Sequence, residues 1–385
     1  MHITINGVDR VGKSQQIKLL QFYNGGSLNF TGPLIEYSSR WPKLKTHDMF
    51  NWWFKKVEMD EFLNIILESL NMRHSEFRDS VAILDRGTLM FKAVCAATMS
   101  VRTGLGLLDS IQEIDLRFAE GLSYGIDEER NILLEPDAEY QNSIKPYLSL
   151  LQNESSDFTE DENEFYLVYQ NLLKEAVSIY FCGGTADRIK IDRSICEIQN
   201  ELRLLLCRVT DLPLPEICSG VRQIIGFGGL SECGKSSFAE HLYKNKGYYR
   251  LKLGYFVEIL KRRGEKDTPE SVAMEFLHFC KMHYYVENFT LESLHEPYTP
   301  AFLKLLFGSR FKIAYLDAPF DIRSKRASIE QGVSLAEAEN NTRNKDFVKE
   351  GRGARIVGKI ADIKYNNSDS KHHESMLKFE KTIMS

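Results

Sequence analysis

Short apolar runs that end in glycine-bounded loops, each followed by residues at helical spacing, recur along the chain. His2 to Asn6 alternates as a strand does, Gly7 to Ser14 interrupts it, and Ile17, Leu19 and Leu20 then fall on one helical face. The same succession returns 222 positions later: strand Gln223 to Phe227, loop Gly229 to Ser236, and a helix from Lys235. Further strands are predicted at Pro33–Tyr37, Val81–Asp85, Asn131–Glu135 and Arg188–Ile191 in the first half. In the second they fall at Tyr248–Lys252, Asn288–Leu294, Phe311–Asp317 and Ile363–Tyr365. Helical periodicity marks Asp60–Arg78, Gly87–Met99, Glu162–Phe181 and Ser194–Leu206. It returns at Tyr255–Arg263, Pro269–Tyr285, Pro300–Phe307, Asp321–Gln331 and Lys371–Ile383.

Alternation of strands with helices predicts an α/β fold with parallel sheets. Two domains are expected, 1–207 and 222–385. The linker, 208–221, has its periodicity broken by Pro213 and Pro215. A length of 385 residues fits two domains, and 43% hydrophobic residues suffice for two ordinary cores.

Both loops match G-x-x-x-x-G-K-[ST]: Gly7, Gly12, Lys13 and Ser14 in the first, Gly229, Gly234, Lys235 and Ser236 in the second. Glycines at these places let successive N–H groups turn inward around phosphate oxygens, at a helix N-terminus that itself favours anions. Lys13 and Lys235 would reach the β- and γ-phosphates of ATP, and Ser14 and Ser236 would hold Mg2+. Asp9, Gln15 and Ser237 complete the expected nucleotide-binding set. The expectation is thus two tandem P-loop NTPase domains, each a parallel sheet flanked by helices.

Composition narrows the partners. A formal charge of -5 argues against a broadly basic nucleic-acid surface, which weighs against a polynucleotide end kinase. No apolar run is long enough for a membrane span, and the N-terminus lacks the pattern of a signal peptide. Seven cysteines without a CxxC pair read as free thiols in a reducing compartment, so a cytoplasmic location is expected. The histidines show no metal-ligand spacing.

The first half resembles thymidylate kinases. GVDRVGKSQQIKLL is similar to that family's G-[LI]-D-x-x-G-K-[ST]-T-Q segment, LNMRHSEF to its A-x-R-x-x-H helix end, and ILDRG to its D-R-Y/H motif. The helix from Asp161 and the segment DRIKIDRSICEIQNEL follow in the family's order. The resemblance implies that Asp9 and Arg10 face both nucleotides and that Arg73 approaches the acceptor. It puts Asp85 and Arg86 beside the phosphates and the metal. Phosphoryl transfer needs a cation on the moving group. The lid, Gln141 to Glu164, has Lys145 but no arginine, so Arg10 in the loop is the expected catalytic arginine. Ile35 to Arg40 replaces the usual R-E-P-G-G, leaving Arg40 as the candidate for the acceptor phosphate, and Gly87 stands where an aromatic or polar residue is usual. The aromatic cluster Asn51 to Phe54 reads as helix packing, with base stacking as the alternative.

The second half resembles the dephospho-CoA, cytidylate and adenylate kinase group. Tyr315 to Arg323 is similar to its strand-and-helix L-D-A-P segment, Arg343 to Asp346 to its lid, and Ala361 to Ser368 to its A-D-x-x-I-x-N. Phe289 to Pro297 falls at the group's I-D-G-x-R-x-P, with Glu292 for the acid and His295 for the basic residue. This implies Lys235, Ser236 and Arg343 as the working residues, with Arg326 and Lys345 as further lid cations. The joint expectation is a nucleotide kinase acting on a dTMP-like nucleoside monophosphate or a related small acceptor. The alternatives are one catalytic half joined to a nucleotide-binding sensor, or a polynucleotide end kinase. Nucleotides are the expected partners, and the resemblance leaves a homodimer open.

Overall fold

The computed structural model describes residues 1–24, 26, 28–78, 80–151, 159–368 and 372–384. The chain forms two compact units. One comprises Met1–Tyr140, Glu154–Asp192 and Ile198–Pro215, the other Gln141–Asn153, Arg193–Glu197 and Glu216–Ser385. Each carries one five-stranded sheet whose pairings are all parallel, flanked by helices.

The first sheet holds β1 (His2–Asn6), β2 (Asn29–Phe30), β3 (Ala82–Asp85), β4 (Glu129–Pro136) and β5 (Asp187–Ile191), in the order β2-β3-β1-β4-β5. All five residues of β1 are buried, as a central parallel strand covered on both faces must be. The helices up to Thr210 are α1 (Lys13–Phe22), α2 (Thr46–Asn51), α3 (Met59–Glu76), α4 (Thr88–Thr103), α5 (Leu107–Gly121), α6 (Ala138–Leu151), α7 (Glu160–Tyr180) and α8 (Ile195–Thr210); α6 from Gln141 and the start of α8 are counted with the other unit. On α8, Arg203 is fully buried. Its guanidinium donates to the Leu19, Tyr23 and Pro215 carbonyls, tying α8 to the end of α1.

The second sheet holds β6 (Gln223–Gly228), β7 (Tyr249–Lys252), β8 (Asn288–Leu294), β9 (Phe311–Asp317) and β10 (Ile363–Asn366), in the order β10-β9-β6-β8-β7. Read from its other edge this is the same arrangement, with the first strand central and flanked by the third and fourth. Such a strand order reverses direction at the central strand, and its carboxyl end is where open α/β sheets put ligands. The helices here are α9 (Lys235–Lys246), α10 (Leu253–Arg262), α11 (Pro269–Met282), α12 (Tyr298–Phe307), α13 (Phe320–Gln331), α14 (Leu335–Gly351), α15 (Ala354–Lys359) and α16 (His372–Met384).

Several expectations need correction. Pro33–Tyr37 is not a strand: a single 3-10 turn occupies Leu34–Glu36, and the edge strand is the shorter Asn29–Phe30. Asn29 and Thr31 donate to Val81 and Ile83, but Pro33 has no N–H to continue the ladder. Helices α2, α5, α6, α14 and α15 have no counterpart among the sequence expectations, and α6 lies where the lid is expected. The aromatic cluster is packing: a π-helical turn over Trp52–Lys56 sets Trp53 edge-on to Phe62 at 4.6 Å, and the Trp53 indole donates to Thr98. The predicted lid includes residues 152–158, and the last predicted helix starts at Lys371. Both places lie outside the described residues. Among the described residues no helix is long and apolar enough to cross a membrane.

Gly87 has a steric cause. A Cβ there would lie 2.6 Å from Thr4 Cγ2 and 2.7 Å from Glu129 Oε2. Glu129 is buried because Thr88 satisfies it, through its N–H at 2.7 Å and its hydroxyl at 2.8 Å, while Gly87 N donates to Asn6 Oδ1. Gly87→Val should therefore lower stability by about 1–3 kcal/mol, as overpacking does. An unchanged urea midpoint would show that the corner has room.

Candidate active sites: two phosphate cradles

The two loops share one backbone conformation, position by position. Gly7 and Gly229 have φ of 145° and 130°, Arg10 and Glu232 of 65° and 57°, and Gly12 and Gly234 of 92° and 95°. At Gly229 the constraint is severe, since a Cβ would stand 2.2 Å from the Leu316 carbonyl oxygen. The lysines repeat as well. Lys13 Nζ donates to the Gly7 and Val8 carbonyls at 2.7 and 2.8 Å, and Lys235 Nζ donates to Gly229 at 3.0 Å and to Leu230. Burial pulls both amines down to about 8, helped by Arg86 beside Lys13 and by Lys349 beside Lys235.

In the first cradle, Asp9 is the hub. Arg86 Nη2 meets its Oδ1 at 2.6 Å, and its Oδ2 accepts from Tyr166 at 2.8 Å and Gln170 at 2.9 Å. Burial alone would raise this carboxyl, but Arg86 and the two hydrogen bonds outweigh it and hold it below the ordinary value. Tyr166 and Gln170 were not singled out from sequence, although their spacing of four on α7 puts them on one face. Arg10 and Ser14 are exposed, at the loop and at the first turn of α1. Asp85 ends β3 with Oδ1 enclosed and without a hydrogen-bond partner, and Gln15 Nε2 is in the same state. Arg73 is 1% exposed; it donates to the Asp85 and Arg86 carbonyls at 3.3 and 2.9 Å and lies over the Phe91 ring. Arg40 lies on the surface, paired with Glu68 at 3.3 Å and Glu61 at 3.9 Å.

In the second cradle, Ser236 donates to Glu292 Oε2 at 2.7 Å, and Arg250 grips the same carboxylate through Nε and Nη2. Glu292 is 2% exposed, so its charge is met by these partners and not by water. Helices α13 and α14 close on the loop. Arg323 donates to the Ser231 carbonyl at 3.1 Å and pairs with Asp346 at 2.5 Å, and Asp346 accepts from Ser231 N. Lys349 Nζ donates to the Ser231 hydroxyl at 2.9 Å, and Lys345 lies 3.5 Å from Glu232. Asn367 holds the Cys233 carbonyl, and Arg326 holds the Asn367 and Glu232 carbonyls. Arg343 stacks over Phe320 at 5.0 Å on the exposed face of α14. The α14 amine that lines the cavity is instead Lys349, six residues further on. That cavity, about 780 Å3, is also lined by Lys235, Ser236, Ser237, Glu292 and His295.

A magnesium ion takes one or two protein oxygens and fills its remaining positions with phosphates and water. The enclosed, unpartnered Asp85 Oδ1 fits such a role in the first cradle. In the second, the Ser236 hydroxyl, oriented by Glu292, fits it.

No protein-family model and no curated protein sequence matches the chain. Solved structures do resemble parts of it. An uncharacterized protein from Eubacterium ventriosum is 17% identical and matches 42% of this chain and 99% of its own, with a TM-score of 0.33. Shikimate kinase from Bacteroides thetaiotaomicron is 14% identical over 42% of this chain and 99% of its own, at 0.30. Thymidylate kinase from Candida albicans is 14% identical over 55% of this chain and 93% of its own, at 0.37.

The depressed lysines have a measurable consequence. A bound polyphosphate favours the charged amine and raises its pKa, so binding near pH 8 should take up protons. Affinity should fall as pH rises above about 8, where the amine in the free protein is neutral. Calorimetry of ATP binding in buffers of different ionisation enthalpy reads this directly. Zero net uptake at pH 8 would refute the role of the lysines.

Proposed function

We propose that the chain is an ATP- and Mg2+-dependent phosphotransferase of the small-molecule kinase type, with nucleotides as its partners and a cytoplasmic location. The observation that carries this reading is the second cradle. There a loop lysine, a lysine from α14 and a serine hydroxyl bonded to a buried carboxylate line one cavity. The residues act by position and charge. The loop N–H groups and Lys235 would bind the β- and γ-phosphates, and Lys349 would neutralise charge on the moving group. Mg2+, when bound through Ser236, supplies further charge compensation on the phosphate oxygens. Glu292 and Arg250 keep the serine hydroxyl aimed, and Arg343 would join from α14 on closure.

For the first cradle the proposed acceptor is a nucleoside monophosphate of the dTMP type, with Lys13 and Arg10 on the donor phosphates and Ser14 and Asp85 on the metal. This makes the chain bifunctional. One observation favours a second reading, in which the first half binds nucleotide without transferring phosphate. Asp9 and Arg86 are bonded to each other, and Arg73 is spent on backbone carbonyls.

An ADP-release assay on the full chain with ATP, Mg2+ and a panel of nucleoside monophosphates and small alcohols tests both. Lys235→Ala should lower turnover by roughly 100-fold or more, as loss of one charge-stabilising group does. Lys13→Ala should abolish a separate, dTMP-dependent activity if the chain is bifunctional, and should leave every activity standing if the first half only binds. Absence of both ADP formation and nucleotide binding would overturn the proposal.

A further inference from the structure

Two of the seven cysteines meet in the second unit. Cys196 Sγ and Cys218 Sγ lie 3.3 Å apart, a separation that a small side-chain movement closes to a covalent bond. Cys196 is fully enclosed and Cys218 is 5% exposed. Cys218 stands at φ 58°, in the left-handed region that side chains resist, so its surroundings must hold the turn that presents its sulfur. Arg310, from the 3-10 turn before β9, supplies that hold. Its Nη1 donates to the Cys218 carbonyl at 2.9 Å and to the Val221 carbonyl at 3.4 Å.

The path of the chain gives this contact a consequence. The chain leaves the second unit after Glu197 and returns to it at Glu216, so Cys196 and Cys218 stand at the point of exit and the point of return. Between them α8 runs out and the linker runs back along it. Arg203 holds the Pro215 carbonyl at 3.2 Å, and Leu214 N donates to Cys207 Sγ at 3.2 Å. The short piece Arg193–Glu197 belongs to the second unit, but its neighbours in sequence, Asp192 and Ile198, both belong to the other. Only non-covalent contacts therefore hold it in place. A bond between the two sulfurs would change that, and would close the 22-residue excursion into a ring.

We propose that Cys196 and Cys218 form a redox-sensitive latch: hydrogen peroxide joins them in a disulfide that fastens Arg193–Glu197 covalently to the second unit, and a dithiol releases it. Cys218, the less enclosed sulfur, meets the oxidant. It bonds one peroxide oxygen as the O–O bond breaks, and the departing hydroxide takes the thiol proton and leaves as water. The Cys196 sulfur then bonds the Cys218 sulfur as the S–O bond breaks, and the second hydroxide leaves with the Cys196 proton. Two thiols are oxidised and one peroxide is reduced to two waters. Burial pushes the Cys196 thiol well up, which suits the resolving partner and not the first nucleophile. Cys280 on α11 also faces Cys196 and is the competitor. A reversible bond of this kind fits a reducing compartment, where disulfides are transient and report oxidation. The latch is independent of the phosphotransfer reading.

The test uses the full chain carrying Cys182→Ser, which removes the exposed thiol. It is treated with hydrogen peroxide, denatured, blocked with N-ethylmaleimide and digested with trypsin. Cleavage after Arg193, Arg203, Arg208 and Arg222 puts Cys196 in peptide 194–203, Cys207 in 204–208 and Cys218 in 209–222. Peptides 194–203 and 209–222 should appear joined, lighter than the separate pair by two hydrogens, and should part again in dithiothreitol. The oxidised chain should melt about 5 °C higher or more, because a closed ring restricts the unfolded chain. Cys280→Ser should keep the bridge, and Cys218→Ser should lose both the bridge and the shift. The peptide map is read with both latch cysteines in place, so it stands even if Cys218→Ser does not fold. The latch is refuted if the two peptides stay apart, if Cys218 ends as a sulfinic acid, if Cys196 bridges to Cys280 instead, or if the bridge leaves the midpoint unchanged.

Discussion

A loop wraps its peptide N–H groups around a single anion by placing some residues at positive φ, a conformation that side chains resist. In both loops three positions accept it: two glycines and, between them, a residue with a side chain, Arg10 or Glu232. The loop lysine, buried in the first cradle and half-buried in the second, then fastens the turn by donating to its first two carbonyls. Everything else is arranged around this turn. The central strand delivers the chain to the sheet's carboxyl edge, and the following helix presents its N-terminus to the same point. The strands on either side end where a ligand held by the turn would meet the acids and cations they carry.

Much of this was legible in the sequence because the constraint acts on residue identity. Glycine at four loop positions, lysine and serine at fixed offsets, and an apolar run before each loop place the two central strands to within a residue and the start of α9 at Lys235. Other features were hidden for physical reasons. Helix α14 buries Ala338, Thr342 and Asp346, so it has no apolar stripe to read, and its packing rests on the Asp346 bonds to Arg323 and Ser231. Helix α5 buries Leu107, Ile111, Ile114 and Phe118 at helical spacing, a periodic signal that the sequence does carry. Glu129 looks like a break in a strand. Only its pairing with Thr88, distant in sequence, makes it a buried strand residue. The candidate site divides in the same way. The loop residues were visible, whereas Tyr166, Gln170, Arg250 and Lys349 act through contacts across elements that no local pattern encodes.

The two cradles also solve the same charge problem from opposite directions. At the one non-glycine position with positive φ, the first loop carries a cation, Arg10, and the second an anion, Glu232. The first loop therefore holds its own positive charge, and its neighbouring acid, Asp9, is neutralised by Arg86 from the end of β3. The second loop has Ser231 in place of that acid, and the cations reach it from α14: Lys349 on the Ser231 hydroxyl and Lys345 near Glu232. A cation borne by the loop is fixed in place with the strand and helix. A cation borne by a packed helix moves with that helix, and α14 is held to the loop chiefly by the Arg323–Asp346 pair and the Ser231 N–H. The second cradle thus draws positive charge from α14, whose position depends on the bonds that tie it to α13 and to the loop. In the first, the described residues put the charge in the loop whether or not anything closes over it.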